Sequence, residues 1–206
     1  MILVRVKDWM EESFPRFEAD LRVEKIKSEI QALEIPLVIA VDENGKLVGV
    51  ANKFDVLSAP KDSILRDLVH FATHVVSEDS FVEDAIVLLT DSREFALPVV
   101  NDSMKVLGAL TVFEVLESMM EMTAIGEKGC RLSLLLEDVP GSLKRVVDVL
   151  VERDINILSI LTYPEGERKH RVVLRVDTLD ASYISEMLDK AGIEYDSVIP
   201  EEGFGE

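Results

Sequence analysis

Gly49-Val50-Ala51-Asn52-Lys53-Phe54-Asp55 and Gly108-Ala109-Leu110-Thr111-Val112-Phe113-Glu114 follow one pattern. Each has a glycine, two apolar residues, a polar residue at the fourth place and a carboxylate at the seventh. The two stretches lie 59 positions apart, and the match extends outward from both without a gap. Asp8/Asp67, Asp20/Asp79, Val23/Val82, Glu24/Glu83, Val41/Val100, Lys46/Lys105, Gly49/Gly108, Phe54/Phe113, Val56/Val115 and Leu57/Leu116 are identical pairs. Composition alone would supply roughly three such pairs over this length. Val6/Leu65, Ile30/Leu89, Val38/Leu97 and Val48/Leu107 keep their apolar character. Residues 1–60 and 60–119 are therefore two copies of one unit.

Both copies carry the same periodicities. Val23, Ile26, Ile30 and Leu33 share one helical face, as do Val82, Ala85, Ile86 and Leu89. Ser80-Phe81-Val82-Glu83 has the spacing of a capping box at the start of the second of these helices. Two strands are expected next in each copy, at Leu37–Val41 and Leu47–Ala51, then at Ala96–Val100 and Val106–Leu110. Asn44-Gly45 is the hairpin signal of the first pair, and Asn101-Asp102-Ser103 replaces it in the second. Short helices at Asn52–Leu57 and Thr111–Met122 close the copies, giving the order helix, strand, strand, helix.

After a linker with Gly126 and Gly129 the order changes. Arg131–Leu136 reads as a strand. Leu143, Val146, Val147, Leu150 and Val151 form one helical stripe. Asn156–Tyr163 and His170–Val176 read as strands around a Pro164-Glu165-Gly166 turn. A helix over Ser182–Ala191 and a strand at Tyr195–Ile199 complete βαββαβ, a ferredoxin-like split pattern. The tail Pro200–Glu206 is expected to fray. The fold class is α+β.

Acidic residues number 40 and basic ones 22, a formal charge of −18. That balance repels nucleic-acid phosphates and anionic membrane surfaces. The longest uncharged apolar run, Ile35 to Val41, is far too short to span a bilayer. The first eight residues lack the apolar segment of a signal peptide. Cys130 is the sole cysteine, so no intrachain disulfide can form. A cytoplasmic protein is the expectation.

The two signatures, with Val6-Lys7-Asp8-Trp9-Met10 and Leu65-Arg66-Asp67-Leu68-Val69 at the unit starts, resemble a tandem CBS-domain (Bateman) module over about residues 1–120. The resemblance implies a cleft that takes an adenosine-containing ligand: AMP, ADP, ATP, S-adenosylmethionine or a dinucleotide. By position it makes Asp55 and Glu114 candidates for the ribose hydroxyls, and Thr111 and Asn52 candidates for the phosphate side. Lys53 would supply positive charge, and His74 a cleft wall. The first copy has Asn52 where the family has a hydroxyl, and the second has Glu114 where it has aspartate. Asn52 with Asp55, and Thr111 with Glu114, also have the spacing of helix caps. Both readings stay open on the sequence.

Leu136-Glu137-Asp138-Val139-Pro140-Gly141-Ser142-Leu143, with Asp154-Ile155-Asn156-Ile157, resembles an ACT domain over about residues 130–199. That resemblance implies side-by-side pairing, hence a homodimer. It also implies amino-acid binding through Asp138, Gly141, Ser142, Asn156 and Ile157. The alternative is that Asp138 or Ser142 only caps the helix. The expected domains are a first CBS domain at 1–60, a second at 61–122 and an ACT domain at 130–200. This order resembles the AcuB-like family. It implies a non-catalytic regulator, not an enzyme, that senses its ligand allosterically and acts on a partner enzyme. A ligand-free scaffold that modulates such a partner is the leading alternative, and an enzyme using carboxylates outside any recognised motif is the second.

Other signals carry less. His70 and His74 have i, i+4 spacing without the glutamate of the zinc signature, and His74 aligns with Pro15 near an expected strand start. No metal is expected, and no cofactor is required. Cys130 falls in the expected linker, with no nucleophile motif around it. Met119, Met120 and Met122 read as core or dimer contacts. Gly203-Phe204-Gly205 is no dinucleotide loop, because no strand and helix flank it.

Overall fold

The computed structural model describes residues 4–204. The chain divides into two compact units between Ser118 and Met119.

In the first unit the repeat is visible element by element. The first copy contains β1 (Arg16–Glu18), α2 (Val23–Ala32), β2 (Leu37–Val41), β3 (Leu47–Asn52) and α3 (Lys53–Ser58). A four-residue helix, α1 (Val6–Trp9), precedes them. The second copy contains a 3-10 turn at Leu65–Asp67, β4 (Val76–Ser77), α4 (Val82–Ser92), β5 (Ala96–Val100), β6 (Val106–Thr111) and α5 (Val112–Met122). Each copy has a three-stranded sheet, β1-β2-β3 and β4-β5-β6. β2 and β5 are central and buried at all five positions, which explains their unbroken apolar runs. Irregularities at Ala40/Val41 and Val99/Val100 fall at matching places.

The short strands β1 and β4 are additions to the order expected from sequence. Each pairs in parallel with its central strand. The capping box is displaced as well. The N-cap of α4 is Phe81, whose N–H donates to the Asp84 carboxylate at 3.3 Å. Ser80 instead gives its carbonyl to the Val6 N–H at 3.0 Å.

The copies also exchange their leading segments. Val6 is buried in one core with Val76, Val82, Leu89, Leu97 and Leu110 of the second copy. Leu65 is buried with Phe17, Val23, Ile30 and Val56 of the first. Main-chain bridges repeat the exchange. Val50 pairs with His70 and its equivalent Ala109 with Glu11, while Arg22 pairs with Ile64 and its equivalent Phe81 with Arg5. The bridge between Lys46 and Lys105, which are equivalent to each other, marks the pseudo-twofold axis. A further core, with Phe14, Leu37, Ile39, Val41, Ala96, Val100, Val106 and Ala109, joins the copies.

The exchange explains both signature glycines. A Cβ on Gly49 would lie 2.5 Å from the His70 carbonyl oxygen, and one on Gly108 would lie 2.4 Å from that of Glu11. No side chain fits under those crossing strands.

The second unit is an antiparallel sheet in the order β10-β7-β9-β8 with two helices. Its elements are β7 (Gly129–Glu137), α6 (Ser142–Val151), β8 (Ile157–Pro164), β9 (Lys169–Val176), α7 (Ala181–Lys190) and β10 (Ser197–Glu201). The βαββαβ order is as expected. Leu132, Leu134, Val146, Leu150, Leu174, Ile184 and Leu188 form its core. Cys130 lies in β7 and not in a linker, 1% exposed. Burial pushes its thiol pKa up, and Asp180 and Glu201 add to the shift. The expected fraying of 200–206 is corrected at its start. Pro200 and Glu201 pair with β7, the Glu201 carboxylate meets Arg175 at 2.9 Å, and the Phe204 N–H donates to the Gly126 carbonyl. Gly205 and Glu206 lie outside the described residues.

Candidate functional site

A cavity of about 440 Å³ opens beside the second signature. Three segments wall it: the chain from Glu11 to Pro15, the end of α2 with the loop after it (Glu29 to Ile35), and the junction of β6 and α5 with Thr111, Phe113 and Glu114. The first wall is held by the Glu11–Ala109 main-chain pair over Gly108, by buried Phe14, and by Arg16, which donates to the Val106 carbonyl at 2.8 Å. The exchange of leading segments thus supplies one side of the cleft.

Thr111 and Glu114 form a reciprocal cap. The Phe113 N–H donates to the Thr111 hydroxyl at 3.1 Å, and the Thr111 N–H donates to the Glu114 carboxylate at 2.7 Å. The same return of an N3 carboxylate to the N-cap N–H is made in α4 by Asp84, so glutamate and aspartate both serve here. Thr111 is 2% exposed and lines the cavity, and its hydroxyl donates to none of the described residues.

The pseudo-symmetric position holds a cavity of about 140 Å³, lined among others by His70, Thr73, His74, Glu94 and Pro98. His74 binds the Asp91 carboxylate through Nε2 at 3.3 Å and the Thr73 hydroxyl through Nδ1 at 2.9 Å. His70 and His74 lie outside any helix, and no three-ligand cluster fit for a metal occurs among the described residues. Ligand pockets generally run from about 300 to 1,000 Å³, so only the larger cavity is of nucleoside size.

Asn52, Lys53 and Asp55 line neither cavity. Asn52 caps α3 by accepting from the Phe54 N–H at 2.9 Å. The Lys53 ammonium donates to the Gln31 and Leu33 carbonyls at the end of α2. Asp55 is exposed, and its carboxylate makes no hydrogen bond to the described residues. Reading the sequence by position singled out Thr111 and Glu114 but missed Glu11, Glu29 and Glu34. They belong to no motif, and Glu11 joins Glu29 and Glu34 only through the exchange.

In the second unit a cavity of about 270 Å³ lies where β7 meets α6. Of the five residues expected there, Ser142 lines it; Asp138, Gly141, Asn156 and Ile157 do not. The N-cap of α6 is Gly141, at φ +97°, and not Asp138 or Ser142. The Ser142 hydroxyl donates to the Val139 carbonyl at 3.0 Å. Asp138 pairs with His170 Nδ1 at 3.0 Å. The Asn156 N–H donates to the Asp177 carboxylate, and Ile157 opens β8 against the core. Arg145, Lys169, Glu137 and Glu194, which the motif did not mark, supply the cavity's charges.

Residues 6–62 and 65–121 each match the CBS domain model, and residues 128–198 match the TTHA0829-like ACT domain model. The chain belongs to the CBS-domain family, as a tandem pair followed by an ACT domain. Both kinds of domain are regulatory modules. Among solved structures, a CBS domain pair/ACT domain protein from Thermotoga maritima is 29% identical, with TM-score 0.53. That match covers 57% of this chain and 97% of the other. CBSX2 in complex with AMP (24% identical, TM-score 0.50) matches 56% of this chain and 96% of its own length. The CBS domain pair of protein MJ0100, in complex with 5′-methylthioadenosine and S-adenosyl-L-methionine (20%, 0.50), matches 57% and 97%. These last two likenesses are of fold. No helix among the described residues is long and apolar enough to cross a membrane.

Proposed function

We propose that this chain is a non-catalytic cytoplasmic regulator whose CBS pair takes an adenosine-containing ligand in the cleft beside Thr111 and Glu114. The observation that carries the reading is the 440 Å³ cavity at the second signature, with buried Thr111 in its lining. The family supports an adenosine class, as do the ligands in the two neighbours' structures. Binding would shift the arrangement of a homodimer and so modulate a partner enzyme. The test is isothermal titration of adenosine ligands, with guanosine controls. An adenine-specific signal, lost in Thr111→Val, supports the reading; no signal at millimolar concentration refutes it.

A second reading has its own observation. Thr111 with Glu114, and Asn52 alone, are already satisfied as helix caps. On that reading the module is a ligand-free scaffold. Thr111→Val would then lower the melting temperature and change no affinity. For the ACT domain we propose an amino acid, held at Ser142 with Arg145 and Lys169 facing its carboxylate and Glu137 and Glu194 its ammonium. Equilibrium dialysis against the twenty amino acids decides this. Light scattering decides the dimer.

A further inference from the structure

We infer that the cleft beside Thr111 selects its nucleoside by charge, preferring a cationic 5′ substituent over a neutral one and rejecting a phosphate chain. This rests on the adenosine reading above and names the ligand class of the same site. Four of the lining residues are glutamates: Glu11, Glu29, Glu34 and Glu114. Among the described residues, no lysine, arginine or histidine lines the cavity. Two cations on neighbouring elements keep their charge beside the cavity but do not line it, because each points at main-chain carbonyls. Lys53 caps the carbonyls of Gln31 and Leu33, and Arg16 holds the carbonyls of Glu12 and Val106.

A space of 440 Å³ is roughly 9 Å across, close to the Debye length of about 8 Å at physiological salt. A charge near its centre lies within a Debye length of the walls, so the acidic lining acts on it even though Glu11, Glu29 and Glu34 are solvent-exposed and partly screened. The helix-start amide at Thr111, which would otherwise attract an anion, is occupied by Glu114. The carboxylates do not converge as ligands for a bridging metal, since no three-ligand cluster occurs among the described residues. The net charge of −18 acts in the same direction. One donor remains for an uncharged part of the ligand, the buried Thr111 hydroxyl.

The experiment titrates the whole chain in EDTA with four adenosine probes that differ in charge: S-adenosylmethionine, neutral 5′-methylthioadenosine, AMP and ATP. The expected order of affinity is the order just given, with S-adenosylmethionine at least about tenfold tighter than AMP. Raising sodium chloride from about 50 to 500 mM should narrow that gap, as screening requires. Glu29→Gln with Glu34→Gln, both exposed, should shrink the ratio of S-adenosylmethionine to AMP affinity at least about fivefold. AMP or ATP binding as tightly as S-adenosylmethionine, with or without added magnesium, would overturn the inference and leave the adenosine reading standing. If none of the four binds, the adenosine reading fails and takes this inference with it.

Discussion

Replacing Gly49 with alanine tests the crossing of strands that builds the first unit. The added Cβ would sit 2.5 Å from the His70 carbonyl oxygen and 3.0 Å from a Val69 methyl. The nearer contact is main chain and cannot rotate away. The strand would have to retreat, weakening the hydrogen bonds from Val50 N–H to His70 O (3.0 Å) and from His70 N–H to Val50 O (2.9 Å). Two such bonds are worth about 2 kcal/mol net, and overpacking adds about 1–3 kcal/mol, part of which the retreat relieves. A loss of about 2–4 kcal/mol is expected, which lowers Tm by about 5–15 °C in a chain of this size. Calorimetry reads the loss. Val87→Ala, on a residue 67% exposed, is the control and should stay within about 0.5 kcal/mol of the parent. Gly108→Ala should behave like Gly49→Ala, because its Cβ would meet Glu11 in the same way. If Gly49→Ala melts with the control, the crossing is looser than described and the account of the signature glycine is wrong.

Glu114→Ala removes the acceptor of the Thr111 N–H and should cost about 1 kcal/mol by chemical denaturation, with Glu114→Gln recovering part of it. Glu165 accepts from Arg171, at 2.6 Å on each of two oxygens, and this hydrogen bonding holds its carboxyl pKa below the ordinary glutamate value. Its stabilising contribution is present above the unfolded value and lost as the pH falls through the lower folded one. NMR titration should show the midpoint return upward in Arg171→Gln. The Cys130 thiol, buried and raised in pKa, should react with a disulfide reagent only as fast as the native state opens, and at once in denaturant. Its raised pKa favours the fold below the ordinary thiol value, an effect lost as the pH climbs through the folded one.

The sequence shows the repeat because identities survive at a fixed offset, and most strand ends fall within a residue or two of Leu37–Val41 and Ala96–Val100 and their neighbours. The ACT order is equally plain from the switch between periods. Three things were not legible. β1 and β4, of three and two residues, are too short to show a period. The capping box at Ser80 lost to tertiary pairing, because that carbonyl serves Val6 and Asp84 takes over the cap. The exchange of α1 against the turn at Leu65 is a long-range choice: Val6 and Leu65 are both apolar and fit either core by pattern alone. The cleft inherits that limit. Thr111 and Glu114, which the motif marks, line the cavity, whereas Glu11 reaches it only because the chain crosses over. In the ACT domain the loop motif marked Ser142, but it carries no information on Lys169 or Glu194 arriving from other elements.

The exchanged leading segments also set an order of events at the ribosome. The core of the first copy, from Phe17 through Val56 to Leu65, comes from one continuous stretch, so it can close as soon as that stretch has emerged. Val6 has no such partner nearby. It is made before all of its partners, and its place among Val82, Leu97 and Leu110 exists only once the second sheet has been synthesised. The nascent chain must therefore carry an apolar arm in waiting while its neighbour folds. A stall or truncation within β5 would leave the first copy formed and that arm exposed to other chains.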